Sequence, residues 1–423
     1  MIQRSVEELG RDPRLRKTWE ELGRPECYLA GGYIRDHVIG RESRDLDFTM
    51  FGSADEVAEP ARRFAKRHGV RPHLLGKPPR CVWRIDTSDL KVELWPLGSL
   101  TLDDDILRRD FSCNALAWQM PDGPLIDRVG GMDAISAGRI SAISRGNLQD
   151  DPVRLLRAPR FVAQLEGFGI DHRTTDWIRE LAQLLAYAPK ARIGTELIQI
   201  LGAERAELGL RSMLELDLLR ASAPNESAPD ADWLGRHAGA VHRLASPQNH
   251  PVPGSVQSAG DAARLAILFR GWRCLSSDAT APYSWPRSDR LAAHRAESLL
   301  QWASAAVDAP AADRRELIHE AGDAFPALFA AAAALDDPGP DQRAAWKRWW
   351  HQWERLGDRL IRPPALLGAD ELSEMTGIGE GPELGRVIHA LQRAQVRGQV
   401  RSEAGAKRWL IVNGWTTDHP IQN

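Results

Sequence analysis

The sequence predicts an α+β fold: a small mixed sheet within about the first 140 residues, then a long all-helical remainder. Three observations predict it. Leu29-Ala30-Gly31-Gly32-Tyr33-Ile34-Arg35-Asp36 reads as a strand end, a Gly-Gly turn and a helix start, and Asp45-Leu46-Asp47-Phe48-Thr49 follows as a second strand. Val82-Trp83-Arg84-Ile85-Asp86 and Lys91-Val92-Glu93-Leu94-Trp95 read as a hairpin turned at Thr87-Ser88-Asp89. From about residue 148 onward the apolar spacing is helical.

The remaining elements follow in order. Pro124-Leu125-Ile126-Asp127 is a short strand closed by Gly130-Gly131. Asp150-Asp151-Pro152-Val153-Arg154 reads as a helix start, with Asp151 as N-cap and Pro152 at the first helical position. Residues 222–230 and 246–260, rich in Pro, Ser and Gly, read as loops, and 336–341 as a break. Trp346, Trp349, Trp350 and Trp353 fall on one helix face, better suited to core packing than to RNA stacking. A last unit begins near Pro363-Pro364, and Gly379-Glu380-Gly381-Pro382 opens a helix running to about Gly398.

Composition narrows the classes. A chain of 423 residues with 43% hydrophobic content is long enough for two to four domains with true cores. The net charge of −3 means that a nucleic-acid partner must be held by local basic patches. Four scattered cysteines without a C-x-x-C pair argue against a zinc ribbon or disulfide framework and fit a reducing compartment. The polar start lacks a signal-peptide core, and the alanine-rich run 329–335 is too short to span a bilayer; a cytoplasmic protein with no membrane partner is expected.

Alternation along a strand puts Asp45 and Asp47 on one face with Leu46 on the other. Two carboxylates beside a glycine turn can hold a divalent metal against a triphosphate. Gly31 and Gly32 let backbone approach phosphate oxygens, and Arg35 adds a fixed charge. Glu93, on a strand expected beside the aspartates, is a candidate third carboxylate or a plain exposed strand position. In Arg108-Arg109-Asp110-Phe111-Ser112-Cys113-Asn114, Arg109 suits phosphate, and Asp110 and Asn114 suit ribose hydroxyls; the alternative is a capped helix start and a turn.

Asp151, Arg154, Arg157 and Arg160 recur at three-residue spacing, a carboxylate and three guanidiniums in a line. Asp151 can accept from the amino group of cytosine or adenine while Arg154 donates to the adjacent ring nitrogen. Uracil and guanine present a carbonyl there, a mismatch costing roughly 1–3 kcal/mol. Such a pair favours CTP and ATP, with Arg157 and Arg160 on the triphosphate. The alternative is an N-cap and a basic surface stripe.

These motifs, in this order, resemble the class II CCA-adding tRNA nucleotidyltransferases and the related bacterial poly(A) polymerases. They are Gly31-Gly32-x-x-Arg35-Asp36, Asp45-x-Asp47, Arg108-Arg109-Asp110-Phe111-Ser112-x-Asn114-Ala115, Asp150-Asp151-x-x-Arg154 and Leu156-Arg157-Ala158-x-Arg160-Phe161. Arg192-Ile193-Gly194-Thr195-Glu196-Leu197 and the stretch 375–385 resemble the family's later signatures. The resemblance implies a polymerase-beta-like nucleotidyltransferase head (1–140), a base-reading neck (141–205), a helical body (206–360) and a helical, tRNA-binding tail (361–423). It implies that Asp45 and Asp47 bind two Mg²⁺ ions, and that Gly32, Arg35, Arg109, Asp151, Arg154, Arg157 and Arg160 bind the nucleotide. Implied partners are nucleoside triphosphates and the 3′ acceptor end and elbow of tRNA; the sequence does not give an oligomeric state.

The chain departs from the pattern at three places. Asp150 stands where Glu is usual, and Pro159 should kink its helix just before Arg160. Most CCA-adding members carry a longer flexible loop after the strand with Glu93; here Trp95 runs almost directly into Asp103-Asp104-Asp105. That resembles the CC-adding branch. Addition of C and A is the primary expectation. CC-only addition, poly(A) synthesis and an inactive RNA-binding copy are the alternatives. The metal-binding His-Asp pair of the family's phosphohydrolase domain does not occur.

Overall fold

A computed structural model of the chain describes residues 6–77, 80–224, 231–245, 260–273, 278–306, 308–336 and 340–416. The chain forms two compact units, Met1–Pro189 with Glu215–Ala221, and Lys190–Leu214 with Ser222–Asn423.

The first unit holds a seven-stranded sheet. Its strands are β1 (Cys27–Ala30), β2 (Asp45–Met50), β3 (His73–Lys77), β4 (Arg80–Asp86), β5 (Lys91–Pro96), β6 (Leu116–Gln119) and β7 (Leu125–Asp127), in spatial order β3-β4-β5-β2-β1-β6-β7. β2 and β5 run parallel and every other neighbouring pair antiparallel, the mixed sheet expected. Helices α1 (Pro13–Glu21), α2 (Gly32–Val38), α3 (Ala54–Arg67) and α4 (Leu102–Leu107) accompany it. α3 covers one face: the Trp83 indole donates to the Ala54 carbonyl at 2.8 Å, and Leu46, Phe48, Val92 and Leu94 are fully buried. Ser53 starts α3 with a capping box to Glu56. By strand alternation the opposite face carries Asp45, Asp47, Glu93 and Trp95.

Helices α5 (Gly131–Ser136), α6 (Arg145–Asp150), α7 (Arg154–Gln164) and α8 (His172–Leu181) complete this unit's main elements. Here the structure corrects the reading of Asp151 as N-cap. α6 ends at Asp150, Asp151 is extended (φ −140°, ψ 86°), and α7 begins at Arg154 without a side-chain cap. The residue before a proline is driven out of the helical region, so Pro152 separates two helices and does not open one. The Asp151 carbonyl accepts the Arg154 N–H at 2.9 Å. α7 runs continuously through buried Pro159 to Gln164. A two-residue parallel pair, β8 (Arg139–Ile140) with β9 (Gly169–Ile170), interrupts the expected all-helical remainder; such pairs are too short to leave a periodic signal.

In the second unit all named elements are helical. They include α9 (Lys190–Leu201), α10 (Ala206–Glu215), α11 (Leu218–Ser222, which straddles the division), α12 (Ala231–Ala245), α13 (Gly260–Gly271), α14 (Arg287–Ala305), α15 (Ala311–Ala321) and α16 (Phe325–Asp336). α16 is a buried core helix whose alanines let α12, α13 and α14 approach closely. The Trp stripe lies on α17 (Pro340–Ile361): Trp346, Trp349 and Trp350 are buried, and the four rings pack on Phe325 and Phe329. α18 (Ala369–Thr376), α19 (Pro382–Arg397) and α20 (Glu403–Val412) share a core around Leu372, Val387, Leu391 and Leu410. Pro382 opens α19 and left-handed Gly398 closes it, as the sequence predicts. Buried Glu316 on α15 bonds Arg393 and Arg397 of α19. The loops expected within 222–230 and 246–260 fall largely on residues outside the described set, as do Cys274 and the first five residues. No helix among the described residues is long and apolar enough to cross a membrane.

Candidate active site

The register of β2 and β5 builds a row of carboxylates. Asp47 stands opposite Glu93, and Asp45 opposite Lys91. Lys91 Nζ lies 3.3 Å from Glu93 Oε1 and 3.9 Å from Asp45 Oδ1. Arg84 on β4 donates to Glu93 Oε1 from Nε at 2.9 Å and from Nη2 at 2.6 Å. Glu93 is therefore not the exposed strand position its alternative reading required: it is 7% exposed and paired with two cations. Burial, then the negative charge of Glu93, pushes the Asp47 carboxyl up to about 6, against the opposing pull of Arg109 and Lys91.

The glycine turn abuts this row. Gly31 caps α2 at φ +80°, ψ −141°, a backbone open to glycine alone. A Cβ there would stand 3.1 Å from Arg109 Nη1 and 3.4 Å from Asp47 Oδ2. Gly32 begins α2 beside the Arg35 guanidinium. Arg35 is itself buried, donating to Asp36 Oδ1 at 2.7 and 2.9 Å and to Asn114 Oδ1.

Arg109 reaches over the sheet from the end of α4. It donates to Asp105 Oδ2 at 2.8 Å and, more weakly, to Thr49 Oγ1 and the Asn114 carbonyl, both at 3.4 Å. Asp110 and Asn114 are buried and engaged internally. Asp110 accepts from the Phe111 N–H at 2.8 Å and from Asn114 Nδ2 at 3.4 Å, and its Oδ2 is 2.9 Å from Arg157 Nε. Burial raises the Asp110 carboxyl, but Arg157, the Phe111 N–H, Arg154 and Arg160 outweigh it and hold the group below its ordinary value.

Asp151 and Arg154 lie together, Oδ2 to Nε 3.7 Å, with Arg154 Nη1 anchored on the Arg108 and Asn147 carbonyls at 2.7 and 3.1 Å. The guanidiniums of Arg35, Arg157 and Arg160 converge on the Phe161 ring, 5.1, 5.7 and 4.8 Å from its centroid. The structure thus gathers Asp45, Asp47, Glu93, Gly31 and Arg109 in one group. A second group, Arg35, Asp110, Asn114, Arg157 and Arg160, centres on Phe161. Sequence reasoning missed Thr49 and Asp105, which fix Arg109, and Arg84 and Lys91, which neutralise Glu93. The four-residue spacing from Asp105 to Arg109 and the alternation along β5 were the available signals.

Comparison with known proteins agrees with this geometry. Residues 82–141 match the poly A polymerase head domain, and residues 167–227 match the family described as the probable RNA and SrmB-binding site of polymerase A. The chain is 28% identical to the CC-adding tRNA nucleotidyltransferase of Thermus thermophilus, over 93% of this chain and 97% of that protein. It is 26% identical to the A-adding tRNA nucleotidyltransferase of Deinococcus radiodurans, over 94% and 97%. Its fold superimposes on the Bacillus stearothermophilus CCA-adding enzyme in complex with CTP with a TM-score of 0.67, at 22% identity and 96% coverage of each chain. Motifs, fold and relatives along nearly the whole chain agree: the chain is a nucleotidyltransferase, similar to the class II CCA-adding tRNA nucleotidyltransferases and bacterial poly(A) polymerases.

Proposed function

We propose that the chain extends tRNA 3′ ends without a template, transferring CMP and AMP from CTP and ATP in the cytoplasm. The observation that carries this reading is the carboxylate row of Asp45, Asp47 and Glu93 set against the Gly31 turn and Arg109. Relatives named CC-adding and A-adding tRNA nucleotidyltransferases, and a solved Thermotoga maritima CCA-adding enzyme complexed with tRNA, support the substrate class.

Asp45 and Asp47 are the residues that would hold Mg²⁺, with Glu93 as the outer carboxylate. Among the described residues no three ligating side chains form a closed cage. Mg²⁺ needs none, since it keeps several waters and uses one or two carboxylates plus substrate phosphates. The raised Asp47 carboxyl fits a site completed by a cation. When bound, the metal would acidify the RNA 3′-hydroxyl and neutralise the pyrophosphate leaving group. The chain's own residues do the rest. Gly31 and Gly32 admit the phosphates and Arg109 faces them. Asp151 and Arg154 read the base. Arg35, Arg157 and Arg160 put positive charge beside the triphosphate, with Asp110 and Asn114 holding two of them in place. The RNA 3′-oxygen gives up its proton to solvent water and bonds to the α-phosphorus as the bond to pyrophosphate breaks, the leaving oxygen carrying away the electron pair.

A second reading, CC-only addition, is favoured by the connection after β5. Only Leu97 to Thr101 separate β5 from α4. The Leu97 and Gly98 N–H groups are tied to the Met50 and Gly52 carbonyls at 2.8 Å, and Thr101 closes a capping box with Asp104. One experiment tests both. The protein, Mg²⁺ and single labelled NTPs are incubated with tRNA lacking CCA, tRNA ending in CC, and an unrelated primer. No transfer to either tRNA refutes the proposal; C without A selects the CC-only reading; long A tails on the unrelated primer select poly(A) synthesis.

A further inference from the structure

In-line displacement requires the attacking hydroxyl and the leaving pyrophosphate to stand on opposite sides of the reacting phosphorus. The sheet order gives those sides identities. β1, with the Gly31 turn at its end, flanks β2 on one side; β5 and then β4 flank it on the other. With the triphosphate on the glycine side, the acceptor strand must come in over β5 and β4.

That side of the sheet face carries three groups to which the proposed chemistry gives no contact with the RNA. Arg84, Lys91 and Trp95 share the face of Glu93: Arg84 is its cross-strand partner, and Lys91 and Trp95 lie two residues before and after it. Trp95 stands opposite Thr49, one strand repeat of roughly 7 Å beyond the Asp47–Glu93 row. All three remain more than a third exposed, Arg84 and Lys91 despite their ion pairs to Glu93: the Arg84 side chain 37%, Lys91 36% and Trp95 38%. An exposed tryptophan sharing one sheet face with two cations is a combination that seats single-stranded nucleic acid, the ring taking a base and the cations the backbone.

We propose that Arg84, Lys91 and Trp95 form the seat for the last nucleotide of the acceptor RNA. Trp95 stacks on its base, and Arg84 and Lys91 meet the backbone of the strand's end. The seat rests on the functional reading above. It sets how the growing 3′ end is positioned, whereas Asp151 and Arg154 set which nucleotide is added. Stacking tolerates any base, so one platform serves an end that changes with each addition.

The test uses the full chain, a tRNA transcript lacking CCA, and CTP, with each substrate varied while the other is saturating. Trp95→Ala is expected to raise KM for the RNA about five- to fiftyfold, as loss of a stacking aromatic does. KM for CTP should change less than about twofold, since removal of a group that touches only the RNA leaves nucleotide binding intact. Trp95→Phe should restore RNA affinity and Trp95→Leu should not, a comparison that keeps bulk on the face in case the alanine variant misfolds. Lys91→Gln should flatten the salt dependence of RNA binding by about one unit. An unchanged KM for RNA in Trp95→Ala, an effect confined to CTP, or rescue by leucine as good as by phenylalanine overturns the seat while leaving the functional reading standing. Absence of CMP transfer by the unaltered protein overturns both.

Discussion

Asp47 and Glu93 stand directly opposite each other on adjacent parallel strands, and a Cβ on Gly31 would touch the oxygen of Asp47 that faces the turn. Arg84 and Lys91 pair with Glu93, and burial keeps the Asp47 carboxyl raised against the pull of Arg109 and Lys91. Asp47→Asn should therefore cost several kcal/mol of transition-state stabilisation, on the order of a thousandfold or more in transfer rate. Affinity for tRNA should be retained. Chelation of Mg²⁺ should give the same loss in the unaltered protein, reversed by adding the metal back. Rapid-quench assays with filter binding check both, and an active Asp47→Asn variant refutes the metal assignment.

Gly31→Ala should destabilise the first unit and impair catalysis together. The backbone conformation alone costs an alanine roughly 1–3 kcal/mol. The new methyl also crowds Arg109 and Asp47. Calorimetry should show a lower unfolding temperature, and kcat should fall further than lost stability explains. A variant with unaltered kcat would show that the turn does not approach the substrate.

Replacement of Asp151 by Asn tests base reading. The amide can rotate to present a donor where the carboxylate only accepts, so the penalty against a uracil carbonyl disappears. The kcat/KM ratio for CTP over UTP should drop about tenfold, the middle of the cost range for a mismatched buried polar pair. An unchanged ratio would assign the pair a structural role.

Asp110 makes a prediction in pH. Its folded-state carboxyl lies below the ordinary value of 3.8 because Arg157 and the Phe111 N–H outweigh burial. The charged form stabilises the fold fully above that ordinary value, and the contribution is lost as pH falls through the depressed one. Melting temperatures between pH 6 and roughly pH 3 should fall less steeply for Asp110→Asn than for the unaltered protein. Equal slopes would mean that Asp110 contributes nothing to acid lability.

In the second unit, Trp349→Ala empties a site sealed by Phe325 and Trp346, and truncations of this kind cost about 3–5 kcal/mol. A calorimetric transition that does not move would place Trp349 outside the core.

Local chemistry made much of the architecture legible. The alternation of Asp45, Leu46, Asp47 and Phe48 carries its own facing, because one side chain in two must be apolar wherever one face is covered. The same logic gave the β4–β5 hairpin, the Trp face of α17 and the opening of α19 at Pro382. Neighbouring residues misled at Asp151, where a plausible cap-proline pair proved to be a break between two helices. Pro159 was expected to kink α7 just before Arg160, and the helix carries it, buried, within its Arg154–Gln164 span.

By itself, the sequence determined the chemical repertoire: the paired carboxylates, the glycine turn, the line of arginines and the short connection after Trp95. Only the tertiary structure decided which of these charges meet. Asp47 faces Glu93 across a parallel register, Arg109 arrives from α4, and three guanidiniums gather on Phe161. Pairing between strands some 45 residues apart, and the burial that raises Asp47 while Asp110 is held low, depend on long-range packing and on the local dielectric it creates. No periodicity along the chain encodes either.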